Sequence, residues 1–177
     1  MIFKETTLPG AYILEPEKIN DQRGYFTRLW CKRELQHHGL KSNLAQSNAG
    51  FSHRKGTLRG LHFQKAPHAE VKIVRCTRGA MFDVIVDLRP ESPTYKRWFG
   101  VELNEDNGRM LYVPEGFAQG YITLMDNTEM NYHTSEFYSS EAASGVRYDD
   151  PEFGIQWPLA ATIISEQDRN WPLMEQR

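Results

Sequence analysis

The sequence predicts an all-β domain of the sandwich or barrel kind. Three observations predict it. The apolar runs are short and broken by turn residues, as strands are. Only one stretch ahead of the tail reads as a helix. Pro90, Pro93, Pro114, Pro151 and Pro158 fall between the runs, where a residue without an N–H does a sheet least harm. The 177 residues fit one domain, residues 1–177, with a sizeable core.

Taken in order, residues 11–14 and 25–30 read as early strands, with a turn at Asn20-Asp21-Gln22-Arg23-Gly24 between them. Residues 32–39 are the one plausible early helix, with Gly39 as its stop. Strands follow over 43–46, 57–63, 71–76, 81–88, 98–103, 110–113, 120–124 and 129–134. Their spacing is that of a sandwich or barrel, not of βαβ units. The run 82–88 is apolar apart from two aspartates, so it is placed at the centre of a sheet. Ser165-Glu166-Gln167-Asp168 resembles a capping box opening a short helix.

Composition excludes several classes. The formal net charge of -2 gives no basic field to attract nucleic acid. No apolar run approaches the ~20 residues of a membrane span. The N-terminus lacks the apolar stretch of a signal peptide. Cys31 and Cys76 are the two cysteines, without CxxC spacing, so neither a disulfide framework nor a zinc site is expected, and the cytoplasm is the expected compartment.

The chemistry-bearing residues cluster around Arg59-Gly60-Leu61-His62. Alternation puts Gly60, His62 and Gln64 on one strand face and Arg59, Leu61 and Phe63 on the other. Taken alone, a strand histidine is more often structural. Here His62 and Gln64 together would make a barrel interior polar, as in a ligand cavity. Lys72 opens a neighbouring predicted strand; its ammonium would stabilise a developing enolate oxygen. A base, a cation and no metal suggest proton abstraction beside a carbonyl. Tyr132 is a phenol that could return a proton to the face opposite the base, although a strand tyrosine is more often core. Asp83 and Asp87 share a face, and burial demands partners for both; Asp83 is expected to hold a His, Arg or Lys. His37, His38, His53, His68 and His133 read as mostly exposed.

Metal-binding cupin barrels usually carry His-x-His with a nearby Glu, then a further His after Pro-x-Gly. Here Gln64 replaces the second His, and Gln119, after Pro114-Glu115-Gly116, replaces the last. One imidazole is too few for a tight divalent site, so a metal-free barrel is expected.

Specific blocks run through nearly the whole chain: Asp21-x-Arg23-Gly24-Tyr25-Phe26, Gln46-x-Asn48, Leu58-Arg59-Gly60-Leu61-His62-Phe63-Gln64, Lys72-Ile73-Val74-Arg75, Phe82-Asp83-Val84-x-Val86-Asp87-Leu88-Arg89, Ser92-Pro93-Thr94, Pro114-Glu115-Gly116-Phe117-Ala118, Asp150-Pro151 and Ile155-x-Trp157-Pro158. In these the sequence resembles the dTDP-4-dehydrorhamnose 3,5-epimerase family of nucleotide-sugar epimerases. The resemblance implies a cupin-type jelly-roll barrel with a few short helices. It also implies a homodimer whose N-terminal strands complete the partner's sheet, proton chemistry without a cofactor, and a nucleotide-diphospho-4-keto sugar as substrate. It assigns His62 as base, Asp168 as the partner that fixes its tautomer, Tyr132 as acid on the opposite face, and Lys72 as the enolate's support. Arg23, Phe26, Gln46, Asn48, Arg59 and Tyr138 match positions lining the nucleotide-sugar site, some of them from the partner subunit. Rhamnose-type polysaccharide synthesis is the family's commonest setting.

Three positions depart from the family pattern. Many members have Glu where Arg28 stands, His where Gln119 stands, and an acidic residue near the position of Ala143. All three belong to the substrate-contacting set. They suggest retained chemistry on an altered substrate: a CDP- or GDP-linked sugar, a different sugar, or inversion at one carbon only. The competing readings are a 3,4-ketoisomerase, a non-catalytic sugar-nucleotide-binding cupin and, weakest, a metal-dependent oxygenase.

Overall fold

The computed structural model describes residues 1–176. A first hairpin, β1 (Ile2–Glu5) and β2 (Tyr12–Glu15), is followed by a second, β3 (Ile19–Asp21) and β4 (Gly24–Phe26), and by helix α1 (Lys32–His37). Then come β5 (Gln46–Ser52), β6 (Thr57–Gln64), β7 (Lys72–Arg78), β8 (Ala80–Asp87) and β9 (Trp98–Asn104). The chain continues through β10 (Met110–Val113), β11 (Phe117–Thr123), β12 (Thr128–Thr134), β13 (Ala143–Gly145), β14 (Ile163–Ile164) and α2 (Glu166–Arg169), with a last 3-10 turn at Met174–Gln176.

Two sheets face each other as a jelly-roll barrel. The first runs β1-β2-β10-β7-β12-β5 and the second β13-β6-β11-β8-β9, with β14 added in parallel beside β6. Non-consecutive neighbours such as β10 and β7 mark crossovers between the sheets. The fold class is the expected one. Inward side chains of both sheets, among them Val74, Cys76, Met81, Ile85, Leu111 and Phe117, close one end of the barrel. The outer face of the second sheet buries Leu61, Val84, Val86 and Ala118 under Val146, Phe153 and Trp157 of the C-terminal segment. The outer face of the first sheet buries Leu14, Ile73 and Met110 under Leu35 of α1, with Leu29 and Trp30 beside it.

Several expectations need correction. His62 and Lys72 do not lie on neighbouring strands: β6 and β7 belong to opposite sheets, so the two residues face each other across the barrel. The strand expected over 25–30 ends at Phe26, because Leu29 and Trp30 leave the hairpin to pack on the first sheet. The strand expected over 43–46 begins at Gln46 and runs to Ser52. Its alternate residues Gln46, Asn48 and Gly50 face a polar space, so it carries no alternating apolar signal. β1, β3, β13 and β14 were not anticipated, and the turn expected over residues 20–24 narrows to Gln22-Arg23 between β3 and β4. The first hairpin completes this chain's own sheet, whereas β3–β4 pairs with neither. Among the described residues no helix is long and apolar enough to cross a membrane.

One irregularity shapes the site. Between Gln119↔His62 and Tyr121↔Arg59 the β11–β6 register shifts, so two steps on β11 oppose three on β6. This is a bulge on β6. It breaks the simple alternation and brings Arg59 to the same cavity as His62 and Gln64. Gly60 makes it possible. Its φ is +110°, and a Cβ there would stand 2.7 Å from Gly120 Cα.

Candidate active site

At the open end of the barrel lies a cavity of about 700 Å³. His62, Arg59, Lys72, Gln119, Tyr132, Asp168, Gln46, Asn48 and Tyr138, all singled out from the sequence, line it.

His62 projects from β6, half exposed to the cavity. Its Nε2 lies 2.5 Å from Asp168 Oδ1. Asp168 is buried at the start of α2, where Ser165 caps the helix by accepting the Asp168 N–H at 3.1 Å. The other carboxylate oxygen accepts the Gly60 N–H at 3.1 Å, and Trp171 Nε1 donates to Oδ1 at 3.3 Å. Burial alone would raise the pKa of Asp168. The hydrogen bond and charge of His62, with the Gly60 and Ser165 contacts, outweigh it and hold the carboxyl below its ordinary range. A carboxylate only accepts, so Nε2 carries the imidazole proton and Nδ1 keeps its lone pair.

Lys72 comes from β7 on the facing sheet and is buried. Its ammonium donates to the His62 main-chain oxygen at 3.2 Å and faces Glu70 Oε1 at 3.3 Å. Tyr132 stands on β12, beside Val74 of β7 and Asn48 of β5. Burial, and after it the charge of Glu70, raise its pKa, so the phenol stays protonated. Imidazole and phenol therefore approach one space from opposite walls.

Gln64 and Gln119 have other partners. Gln64 donates to the oxygens of His68, Glu70 and Phe137 at 2.9, 3.2 and 3.1 Å and accepts the Ser139 N–H at 2.6 Å, tying two loops to β6. Gln119 donates to Asp83 Oδ2 at 2.8 Å. Asp83 was expected to hold a cation and holds this neutral amide instead. The reason is its depth: burial pushes its carboxyl up to about 8, against the opposing Gln119 bond and Lys72 charge. A carboxylic acid needs no counter-ion. Asp87, on the same face, is the structural ion pair, bonded to Arg89 at 2.8 Å and to Ser92 and Thr94.

Three residues stand outside this cavity. Arg23 lies in the exposed β3–β4 turn, paired with Asp21 at 2.6 Å; Phe26 is 68% exposed; Arg28 pairs with Glu34 at 3.0 Å. Ala143 lines the cavity beside Gln64. His37, His38, His53 and His68 are exposed, but His133 is partly buried. Sequence reasoning missed Glu70 and Trp171. The Glu70-x-Lys72 spacing held a signal, since residues two apart on extended chain share a side.

The chain is similar over nearly its whole length to known proteins. The family model described as dTDP-4-dehydrorhamnose 3,5-epimerase matches residues 5–176. A dTDP-4-dehydrorhamnose 3,5-epimerase of Methanothermobacter thermautotrophicus is 48% identical, over 98% of this chain and 95% of its own. The crystal structure of the Bacillus anthracis enzyme of that name, with TDP and PPi bound, is 44% identical with a TM-score of 0.94, covering 98% of this chain and 99% of the other. A 3'-monoepimerase from Streptomyces bikiniensis, in complex with dTDP-quinovose, is 31% identical with a TM-score of 0.89, covering 97% of this chain and 87% of the other.

Proposed function

Since the chain belongs to the dTDP-4-dehydrorhamnose 3,5-epimerase family, we propose that it inverts C3 and C5 of a dTDP-linked 4-keto-6-deoxyhexose by direct proton transfer. The observation that carries this reading is the placement of His62 and Tyr132 on facing sheets of one cavity, with Asp168 behind the first and Lys72 between the sheets.

The 4-keto group acidifies the C–H bonds on both neighbouring carbons. His62 Nδ1 takes one of these protons. The C–H pair becomes the enolate C=C bond, and the carbonyl π pair moves to oxygen. Lys72 donates a hydrogen bond to that oxygen, without which neutral imidazole is too weak a base. Tyr132 then delivers its phenolic proton to the opposite face, and the enolate pair closes the new C–H bond. The imidazolium loses its proton and the phenolate regains one through solvent, so the cycle is neutral and uses no redox cofactor. Asp168 holds the imidazole in the required tautomer and steadies the imidazolium.

In the same reading the protein acts as a homodimer. β3–β4, which pairs with neither sheet, carries Arg23 and Phe26 towards the partner's cavity, and Arg28 follows just after β4. The exposure of Phe26 at 68% and Tyr25 at 56% supports this.

A second reading, inversion at one carbon, is favoured by Gln119 and Ala143, which line the cavity where many members have His and an acidic residue. One experiment separates the two. The purified protein is incubated in heavy water with dTDP- and CDP-4-keto-6-deoxyglucose, and deuterium is located by NMR. Label at C3 and C5 establishes the double epimerase, label at one carbon the single one, and faster exchange with one nucleotide identifies the carrier. No label with either substrate overturns both readings.

A further inference from the structure

Glu70 has no part in the mechanism above, yet its carboxylate is among the best-placed groups in the cavity. Its side chain is only 10% exposed. One oxygen accepts from Gln64 Nε2 at 3.2 Å, and Gln64 is itself fixed by the His68, Phe137 and Ser139 main chain. The other oxygen faces Lys72 Nζ at 3.3 Å. Asp83, the other carboxyl near Lys72, is fully buried, bonded to an amide, and has Oδ1 unpartnered. It is therefore a poor counter-ion, and Glu70 is the carboxylate that compensates Lys72. An ammonium has three N–H donors. The His62 carbonyl and Glu70 engage two directions, which leaves a third for an oxygen in the cavity.

Glu70 and Tyr132 line the same cavity. The charged and titratable groups that line the cavity with that phenol are Glu70 from the β6–β7 loop, Lys72 from β7, His62 and Arg59 from β6, and Tyr138 from the loop after β12. Beyond them are Asp168 from α2, Tyr121 from β11, and Asp83 behind Gln119. Of these, Glu70 is the one whose charge acts on Tyr132. We infer that Glu70 is a positioning residue of this site: its carboxylate braces the Lys72 ammonium against the His62 carbonyl and places a negative charge in the cavity that Tyr132 lines. The inference rests on the roles proposed above for Lys72 and Tyr132.

The test uses Glu70→Gln, which keeps the shape and the oxygen for Gln64 but removes the charge. Two readouts are taken on the full chain. The first is ultraviolet titration of the phenolate, with Tyr132→Phe as the blank, which needs no substrate. Loss of the negative charge should move the Tyr132 transition down by about one half to one pH unit. The second is kcat against pH. Its alkaline limb, where the acid is lost, should move down by the same amount. kcat on the plateau should fall about three- to tenfold with KM unchanged within about twofold, since an unbraced Lys72 serves the enolate and not the bound ketone. Glu70→Asp retains the charge, so its phenolate transition should stay within about 0.2 units of wild type while its kcat falls; it also carries the test should Glu70→Gln not fold. Superimposable titrations of Glu70→Gln and wild type would overturn the inference, whatever the exchange experiment shows. Absence of exchange in wild type would overturn the function and leave the titration result standing.

Discussion

At the scale of the residue, the two faces of the reaction should separate by mutation. His62→Ala removes the only base whose orientation Asp168 fixes, and exchange should vanish at every carbon that wild type labels. Tyr132→Phe leaves the base intact. Heavy-water exchange should persist while net inversion falls by about 10²–10⁴, the usual worth of a placed general acid. Inversion at the normal rate in Tyr132→Phe would remove the phenol from the mechanism. Most of these residues were legible because their types are costly inside a barrel without a purpose. His62 stands between Leu61 and Phe63 and Lys72 opens an apolar run, whereas Tyr132 lies on a largely polar strand; the resemblance gave each a role. Glu70 was passed over because it lies in a loop, where a carboxylate needs no explanation, and its spacing to Lys72 was the one signal it gave. Asp83 was misjudged because its partner, Gln119, lies 36 positions along the chain.

At the scale of the element, the bulge on β6 is the feature that chemistry depends on. It lets one strand present Arg59, His62 and Gln64 to the cavity while Leu61 stays in the outer core, which Phe63 also touches. Gly60→Ala should destabilise the protein by about 2–3 kcal/mol, since the new methyl meets the β11 backbone in a left-handed conformation. Urea unfolding measures this, and a midpoint equal to wild type would show that the bulge relaxes freely. Strands with an apolar inner face, such as β8 and β10, were placed by pattern to within a residue or exactly as observed over 110–113. β5 was shifted, because a strand that lines a polar cavity has lost the alternation by which strands are read. The bulge was equally invisible. Gly60 marked a special position but not the pairing shift, which depends on where β11 arrives.

At the scale of the whole molecule, two buried carboxyls give stability opposite pH dependences. Burial works against ionising Asp87, but Arg89, Ser92 and Thr94 hold its carboxyl down to about 2, below the ordinary 3.8. Its contribution is complete above that ordinary value and is lost as pH falls towards 2. Asp83 runs the other way. Raised to about 8 by burial, it keeps a proton that the unfolded chain releases, so stability falls as pH rises from 3.8 towards 8. Asp83→Asn should flatten that fall, read as denaturant midpoints at about pH 5 and about pH 8. An unchanged difference between the two would mean that Asp83 is ionised in the fold. The architecture was legible from the spacing of strands and prolines. What was not legible was which hairpin stands apart, because β1–β2 and β3–β4 look alike until their sheet partners are known. The base and the carboxylate that orients it lie 106 positions apart. Every strand of both sheets is therefore translated before Asp168, and catalytic competence is among the last properties that the nascent protein acquires.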